Sequence, residues 1–575
     1  MTIQYQGGYY LFQDPLVRGW GPNGHTANDL SSLSNYTVEA VNHIQNTPWQ
    51  VNRFTLDLIQ STRKNLLNSK GEVVLRLEEP QDFFNPMSKE EWLSLPNEEK
   101  LKHRTQRRIA LDDLEETTGE YTATVRIISL AAEMKEHDKF YFPHNLDFRL
   151  RIYPIPTDLN PQSNDLSKGL LRFARPNRLG EEGLFWMGFT VASHFGEDKL
   201  SPEDRFLFAS DPKFISQCRK WVSDPLRNRG WLDADSPFQF LAVAHEWVLA
   251  HSLKNPTEFL SHLPGNLDGS CNGAQHLSLL ARDMVGATAT NCRSRMERQD
   301  LYMAVADRVL EKVLVDAKEG DEIAAHWASK LASPKDRRTV VKRAVMTVPY
   351  GVTSYGVASF MLSDNHVDRD AANRWAQAKY LRDHIMASID ETLSVGRSLQ
   401  LWFRDCAVEC AKNGKPLIWD TPAGSKVTMA YRSVVAKRIS SFSTRFYVYE
   451  EMKPNETKDE YHNRLSFDEK RMSTAASPNV VHSCDAAHLQ ITVCRMHDAG
   501  IKDFSMIHDS FGCPFSQVGL MRDILRQSVV DMYAGDYLTA WKESVEKYSG
   551  LTMPDPPALG TFDINEVLES EYFFS

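Results

Sequence analysis

The chain has 575 residues, of which 42% are apolar and 25% charged, and a formal net charge of −10. That is too long for one core, so about two to four lobes are expected, and the composition excludes a disordered or fibrous chain. The opening MTIQYQGGYYLFQ has neither the basic start nor the apolar centre of a secretory signal. No run reaches the roughly 18 apolar residues that span a bilayer, so a soluble, intracellular protein that is not secreted and makes no membrane contact is expected. Eight scattered cysteines without a Cys-x-x-Cys pair predict reduced core thiols, with Cys406 and Cys410 on one helix face. The acidic balance argues mildly against nucleic acid, yet basic residues gather in KHRTQRR (102–108), RFARPNR (172–178) and KDRRTVVKR (335–343).

In chain order, residues 1–35 read as extended loop and 36–68 as helix interrupted at Pro48. Residues 88–137 read as charged helices with a polar face. KFYFPHNLDFRLRIYPIP alternates aromatic and basic residues, a strand signal. Helices follow to about residue 262, where HLPGNLDGS breaks the pattern at Pro264 and Gly265. Residues 297–318 and 322–410 read as mostly helical, and 411–481 carry a polar insertion, YEEMKPNETKDEYHNRLSFDEKR, that reads first as a solvated loop. Near the end, MIHDSFGCP reads as a short buried strand running into a turn at Ser510-Phe511-Gly512.

Three stretches carry candidate chemistry. A half-buried Asp509 needs a cation, a capping role or a metal; taken alone, a turn aspartate is the better reading. LPGNLDGSCNGAQHLS offers a second carboxylate, Asp268, followed by Gly269, Ser270 and Gly273, small enough for a ligand to approach the backbone. Two carboxylates with open positions suit Mg²⁺, which takes few protein ligands and shares substrate phosphates. In RRTVVKRAVMTVPYGVTSYG, Arg338, Lys342, Met346 and Tyr350 recur every fourth residue along one helix face. Arg and Lys one turn apart could hold a triphosphate, and Met and Tyr could meet a base and sugar; a solvated basic stripe is the better reading of that pattern alone. Pro349 should end or kink the helix before Tyr350.

Taken together and in this order, the stretches resemble the single-subunit phage-type RNA polymerases of phages and mitochondria. DGSCNGAQH is similar to the family's first palm motif, the pattern RxxxKRxVMTxxYG to its fingers helix, and HDSFG to its second palm motif. QNTPWQVN, FYFPHNLDFRLRIY, NVVHSCDAAHL and the closing LESEYFFS agree. The resemblance implies an α+β, mainly helical right-hand fold with an antiparallel palm sheet and helical fingers. It divides the chain into an N-terminal helical segment (1–138), palm (139–296), fingers with a specificity loop near 440–470 (297–481) and a second palm part (482–575).

By that resemblance the chain is a DNA-directed RNA polymerase of phage origin. It acts in the cytoplasm of an infected bacterial host or is delivered by the virion, uses NTPs and a DNA template, and makes RNA with two Mg²⁺ ions. Asp268, Asp509 and the Gly269 backbone are implied as metal ligands. Arg338, Lys342 and Lys199 are implied as phosphate contacts, and Arg149, Arg151 and Tyr153 as template or metal-site support. His508 is implied to pack beside the carboxylate. Gly273 stands where related DNA polymerases crowd the sugar 2′ position with Glu, and Tyr350 and His482 match residues that recognise the 2′-hydroxyl, which favours RNA over DNA as product. About 45 residues precede QNTPWQVN, so the promoter-melting domain and a full thumb are expected to be missing, and a second polypeptide is one way to supply them. Primase-like RNA synthesis without a promoter, and a catalytically idle template-binding subunit, are the alternatives.

Overall fold

The computed structural model describes residues 16–18, 30–82, 88–295, 297–348, 351–368, 371, 373–440 and 445–575. Most of residues 1–35, expected as loop, therefore lie outside the described residues. The fold is mainly helical with small antiparallel sheets, as the α+β expectation has it.

Helix α1 (Asn35–Gln45) is capped by Ser34, whose hydroxyl accepts from the Thr37 N–H at 3.4 Å. The helix expected to resume directly beyond Pro48 is corrected. A short strand, Trp49–Val51, intervenes before the next helix, Arg53–Ser61. Pro48 has no N–H with which to continue a helix, and Trp49 then exchanges backbone bonds with Phe140 at 2.8 and 2.9 Å.

The charged stretch forms helices, as expected: a short one, Lys89–Ser94, and then α2 (Asn97–Met134), of 38 residues, about 57 Å long at 1.5 Å per residue. Its buried residues, Thr124, Ile127 and Ala131, lie in the last third. Further towards its start Leu101 and Leu111 are exposed. The aromatic–basic stretch makes a hairpin of β1 (His144–Leu146) and β2 (Ile152–Pro154), with Leu150 in the left-handed region at φ 72°.

Helix α3 (Pro237–Ala250) leads to β3 (Pro264–Asp268). Pro264 and Gly265 break the helical pattern as expected and open this strand; proline is tolerated at a strand's first residue. Helices α4 (Asn272–Ala281), α5 (Leu301–Lys318), α6 (Pro334–Thr347) and α7 (Ser394–Lys412) follow. The polar insertion holds a strand pair, Val435–Ser440 with Arg445–Tyr449, and a short helix, Lys458–Arg464. It is more structured than the solvated loop expected.

Helix α8 (Glu469–Asp498) then crosses the molecule, buried along most of its 30 residues. Strands β4 (Ser505–Ile507) and β5 (Ser510–Pro514) and helix α9 (Val518–Tyr533) come next. The three strands form one antiparallel sheet in the order β4-β5-β3. Its inner face presents buried Met506, Phe511, Leu267 and Cys513 to the core, while Ile507, Ser510 and Asp268 lie on the other, more open face.

Two cores divide the described chain. One gathers buried residues from Leu16 to Cys292 and from Leu399 to Phe574. The second is built from Ala274 and residues 301–393, with Trp327, Val341, Met361 and Leu381 fully enclosed. The chain from α7 onward thus packs with the sheet-bearing body, while α5 and α6 stand on a core of their own. All eight cysteines are free thiols, seven of them buried and Cys271 half-buried.

Candidate active site

The turn in MIHDSFGCP begins two residues earlier than its residues suggested. Ile507 pairs with Ser510, so His508 and Asp509 are the two residues of a tight hairpin, and Ser510-Phe511-Gly512 is strand. His508 takes the positive φ (50°) that such a turn demands at its first residue. Gly512 is in the strand for packing: a Cβ there would sit 1.8 Å from Asn266 Oδ1 on β3.

This register brings the two carboxylates together. Asp268 pairs with Ser510, one residue past Asp509, and the Gly269 N–H donates to the Asp509 carbonyl at 3.2 Å. Asp268 is exposed and Asp509 half-buried. Burial, then Asp485 and Asp268, push the Asp509 carboxyl up to about 6. Arg151, the cation that acts on Asp509, is itself bound to Asp485. Neither Asp268 nor Asp509 forms a salt bridge among the described residues. Two carboxylates on adjoining backbone segments, with Asp509 pushed towards protonation by burial and then by Asp485 and Asp268, make a donor set that a divalent cation would relieve. The Gly269 carbonyl, the third expected ligand, already accepts from the Cys271 N–H at 3.1 Å. The outer edge of β3 is covered by the last residues of the chain: Phe574 bridges Gly269, and the Ser575 N–H donates to the Asp268 carbonyl at 3.1 Å.

The β1–β2 hairpin supports this face. Arg149 holds Asp147 Oδ2 from Nη2 at 2.6 Å and donates from Nη1 to His482 Nδ1 at 2.8 Å. Arg151 takes Asp485 in a two-pronged ion pair, one arm being Nε to Oδ1 at 3.1 Å. Asp485 is fully enclosed in α8, and Asn272 at the start of α4 also reaches it, at 3.5 Å. The Tyr153 ring meets His508 edge-on at 4.6 Å, and its hydroxyl donates to Asp147 at 3.4 Å. Burial, with Arg151 and Arg149 nearby, lowers the His508 pKa to about 3, so this imidazole is neutral. Its Nδ1 is buried with no partner among the described residues.

The basic helix α6 belongs to the second core. Arg338 Nε donates to Asp300 Oδ2 at 2.6 Å, and its guanidinium lies 5.0 Å from the Tyr302 ring centroid. The other oxygen of Asp300 caps α5 through the N–H groups of Tyr302 and Met303. Lys342, one turn on from Arg338, is exposed and makes no salt bridge among the described residues. Pro349 and Tyr350 lie outside the described residues. Their neighbour Gly351 (φ 84°) is described, and a Cβ on it would come 2.9 Å from the Thr474 carbonyl and 3.4 Å from Pro478 Cδ. Pro478 has no N–H to offer Thr474 within α8, and Gly351 lies against that spot, one turn before His482. Gly273 is buried in the first turn of α4, just after Cys271, whose φ of 65° turns the chain from strand into helix. Lys199 stands apart from the carboxylates, paired with Asp198 at 2.5 Å.

The structure thus joins Asp268, Gly269, Asp509, His508, Arg149, Arg151, Tyr153 and His482 through one network. Asp485, Asp300 and Tyr302 were not singled out from the sequence. Asp485 had a signal, being the lone carboxylate in VVHSCDAAHL, a run otherwise fit for burial, where a charge requires a partner.

A family model described as DNA-dependent RNA polymerase matches residues 177–550. The mitochondrial DNA-directed RNA polymerase 1 of Arabidopsis thaliana is 32% identical over 550 residues, covering 93% of this chain and 54% of that protein. The chloroplastic DNA-directed RNA polymerase 3B of Nicotiana tabacum is 32% identical over 587 residues, covering 99% and 57%. The chain therefore spans about half the length of the curated relatives it matches. Among solved structures, the POL domain of Pol1 from M. smegmatis in complex with DNA primer-template and dNTP aligns at 12% identity with a TM-score of 0.39, covering 89% of this chain and 68% of that one.

Proposed function

The chain belongs to the DNA-dependent RNA polymerase family, and from that premise we propose that it catalyses template-directed addition of ribonucleotides to an RNA 3′ end on DNA. The observation that carries the proposal is the placement of Asp268 and Asp509 side by side on the open face of the β4-β5-β3 sheet. In this reading the sheet-bearing body is the palm, residues 301–393 on their separate core are the outer part of the fingers, and the paired strands near 435–449 belong to the specificity loop. The single long helix α2 has the reach of a thumb. In this proposal it takes that role, in place of the expected absence of one.

The residues present fit a divalent metal: two carboxylates in no salt bridge among the described residues, backed by a neutral histidine. Asp268 and Asp509 would hold it, with the Gly269 carbonyl, and we propose two Mg²⁺ ions. Bound there, such ions polarise the α-phosphate and favour the ionised 3′-hydroxyl. The protein's own part is positional. Arg338, steadied by Asp300 and Tyr302, and Lys342 supply cations for the triphosphate. Arg151 neutralises Asp485 so that a third carboxylate does not compete for the metal. Arg149 orients His482, which, with Tyr350, meets the ribose hydroxyl, and Gly273 puts no side chain on that turn of α4.

DNA template, NTPs and RNA product follow as partners in this reading, and a second polypeptide completing the enzyme remains part of it. The source proposed is a phage acting in its host's cytoplasm. The relatives above are organellar, so this last point rests on the motif resemblance. The decisive test is Mg²⁺-dependent extension of an RNA primer annealed to DNA. Extension of the primed scaffold that Asp268→Asn abolishes supports the proposal. RNA made equally well on bare single strands points to primase-like synthesis, and no extension of any substrate points to an idle template-binding subunit.

A further inference from the structure

Far from the carboxylate pair, α1 and the C-terminal turns of α8 pack against each other and bring unlike ligand types together. Glu39 and His43 are four apart on α1, so they share a face. On α8, Cys494, His497 and Asp498 share a face in the same way. A Glu39 carboxylate oxygen, a His43 ring nitrogen and the Cys494 sulfur all lie within 4.8 Å of one another. His497 stacks on His43 with ring centroids 3.7 Å apart and planes 15° from parallel. Asp498 is near enough to act electrostatically on both His43 and Cys494.

As a purely structural contact this grouping is poor. A core thiol is set beside two carboxylates, and two imidazoles lie face to face. The Cys494 S–H has only the Tyr36 carbonyl as acceptor, at 3.5 Å. The access is graded as well: Cys494 is buried, His43 and His497 half-buried, Glu39 and Asp498 exposed. An ion could enter from the carboxylate rim and meet sulfur at the bottom.

We propose that Glu39, His43 and Cys494 bind one borderline transition-metal ion, Zn²⁺ by preference, with Asp498 or water as the fourth ligand. Imidazole, thiolate and carboxylate form a set that Zn²⁺ favours and Mg²⁺ does not. Tetrahedral ligands at about 2.0–2.3 Å from zinc stand about 3.3–3.8 Å apart, so the three atoms close by about 1 Å on binding. Binding converts the Cys494 thiol to thiolate and releases its proton to solvent, and the metal takes the unprotonated His43 ring. The ion staples α1 to α8, the helix that carries His482 and Asp485. Its role is structural and distinct from catalytic Mg²⁺.

The test uses the full chain, purified with a non-chelating reductant, and Co²⁺ and Zn²⁺ as probes. One equivalent of Co²⁺ should give a thiolate-to-cobalt charge-transfer band and intense tetrahedral d–d bands, both unaffected by excess Mg²⁺ and bleached by Zn²⁺. Cys494→Ser should abolish the charge-transfer band. Glu39→Gln, an exposed change that leaves the core alone, should weaken Zn²⁺ at least tenfold while the metal-free melting temperature stays unchanged. Absence of the band in the unmodified chain, or equal Zn²⁺ affinity in both variants, overturns the proposal.

Discussion

Arg149 donates from Nη1 to Nδ1 of His482 at 2.8 Å, across 333 residues of sequence. A guanidinium has no acceptor, so this bond fixes the tautomer: Nδ1 accepts and the ring proton sits on Nε2. Burial first, then Arg151 and Arg149, lower the His482 pKa, so the ring stays neutral. His482 is thus set as a hydrogen-bond donor from Nε2. His482→Ala should reduce the preference for ATP over dATP by about tenfold to a hundredfold, the worth of a hydrogen bond of about 1–3 kcal/mol. Tyr350→Phe should act in the same direction and slow ATP addition less than it relaxes the choice. Arg149→Met should reproduce part of the His482 effect by freeing the tautomer. Single-nucleotide addition with each triphosphate measures all three, and unchanged selectivity in His482→Ala places sugar recognition elsewhere.

Asp268→Asn and Asp509→Asn should each lower nucleotide addition by several decades while leaving the fold intact. Asparagine keeps the shape but loses the charge that would hold a divalent cation. Primer extension across a Mg²⁺ series, with circular dichroism as the folding control, checks this. Near-normal extension by either variant removes the carboxylate pair from the chemistry.

How far the sequence announced this site varies from residue to residue. Asp268 and Asp509 were legible because small residues and apolar flanks mark a strand end and a turn. Their relation was not: that Asp268 pairs with Ser510 rather than Asp509 depends on where the hairpin turns, and one residue of slip changes it. The turn was misplaced because Gly512 looks like turn chemistry, whereas the structure uses it to admit Asn266. Asp485 escaped because its meaning lies in Arg151, 334 residues away. Helix spacing did reveal Arg338 and Lys342, but not that Asp300 anchors one and leaves the other exposed.

Arg151 and Asp485 form a buried ion pair, with side-chain exposures of 14% and 1%. Removing one partner strands the other, so Asp485→Asn should cost about 3–5 kcal/mol of stability. The double change Arg151→Met with Asp485→Leu should recover much of that loss. Activity should not return with it, because Arg151 also acts on Asp509. Thermal melts alongside single-nucleotide addition separate the two effects, and activity restored in the double variant shows that the pair is purely structural.

Glu246 on α3 is 7% exposed and accepts from the Ser261 hydroxyl at 2.5 Å. Burial pushes its carboxyl up to about 7, against the pull of Ser261, the His262 N–H and Arg172. The folded chain therefore holds a proton that the unfolded chain gives up near 4.5. The stabilisation is full below that value and is lost as pH rises to about 7. Its ceiling is about 3.5 kcal/mol at roughly 1.4 kcal/mol per pH unit. Glu246→Gln keeps the protonated shape, so the melting temperature of the variant should gain on the wild type between pH 5 and 8. Parallel melting curves across that range show instead that Glu246 is ionised throughout.

The last prediction concerns α2. Lys102, Arg104 and Arg108 are exposed on its first half, Arg104 over the Trp92 ring and Arg108 in a solvent-facing pair with Asp112 at 3.8 Å, whereas Arg107 is bound to both oxygens of Asp82 at 2.9 and 2.8 Å. If α2 is an arm over the RNA–DNA hybrid, the three exposed cations meet phosphates and Arg107 does not. Each phosphate contact contributes about 0.9 to the slope of log affinity against log salt on duplex. Lys102→Ala, Arg104→Ala and Arg108→Ala combined should therefore flatten that slope by about 2 to 3 and shorten the RNA made per binding event. The rate of single-nucleotide addition on a preformed scaffold should hardly change, because the carboxylate face is untouched. Arg107→Ala alone should alter stability more than salt dependence. A triple variant whose salt slope and product length match the wild type rules out α2 as the clamp and leaves it a spacer.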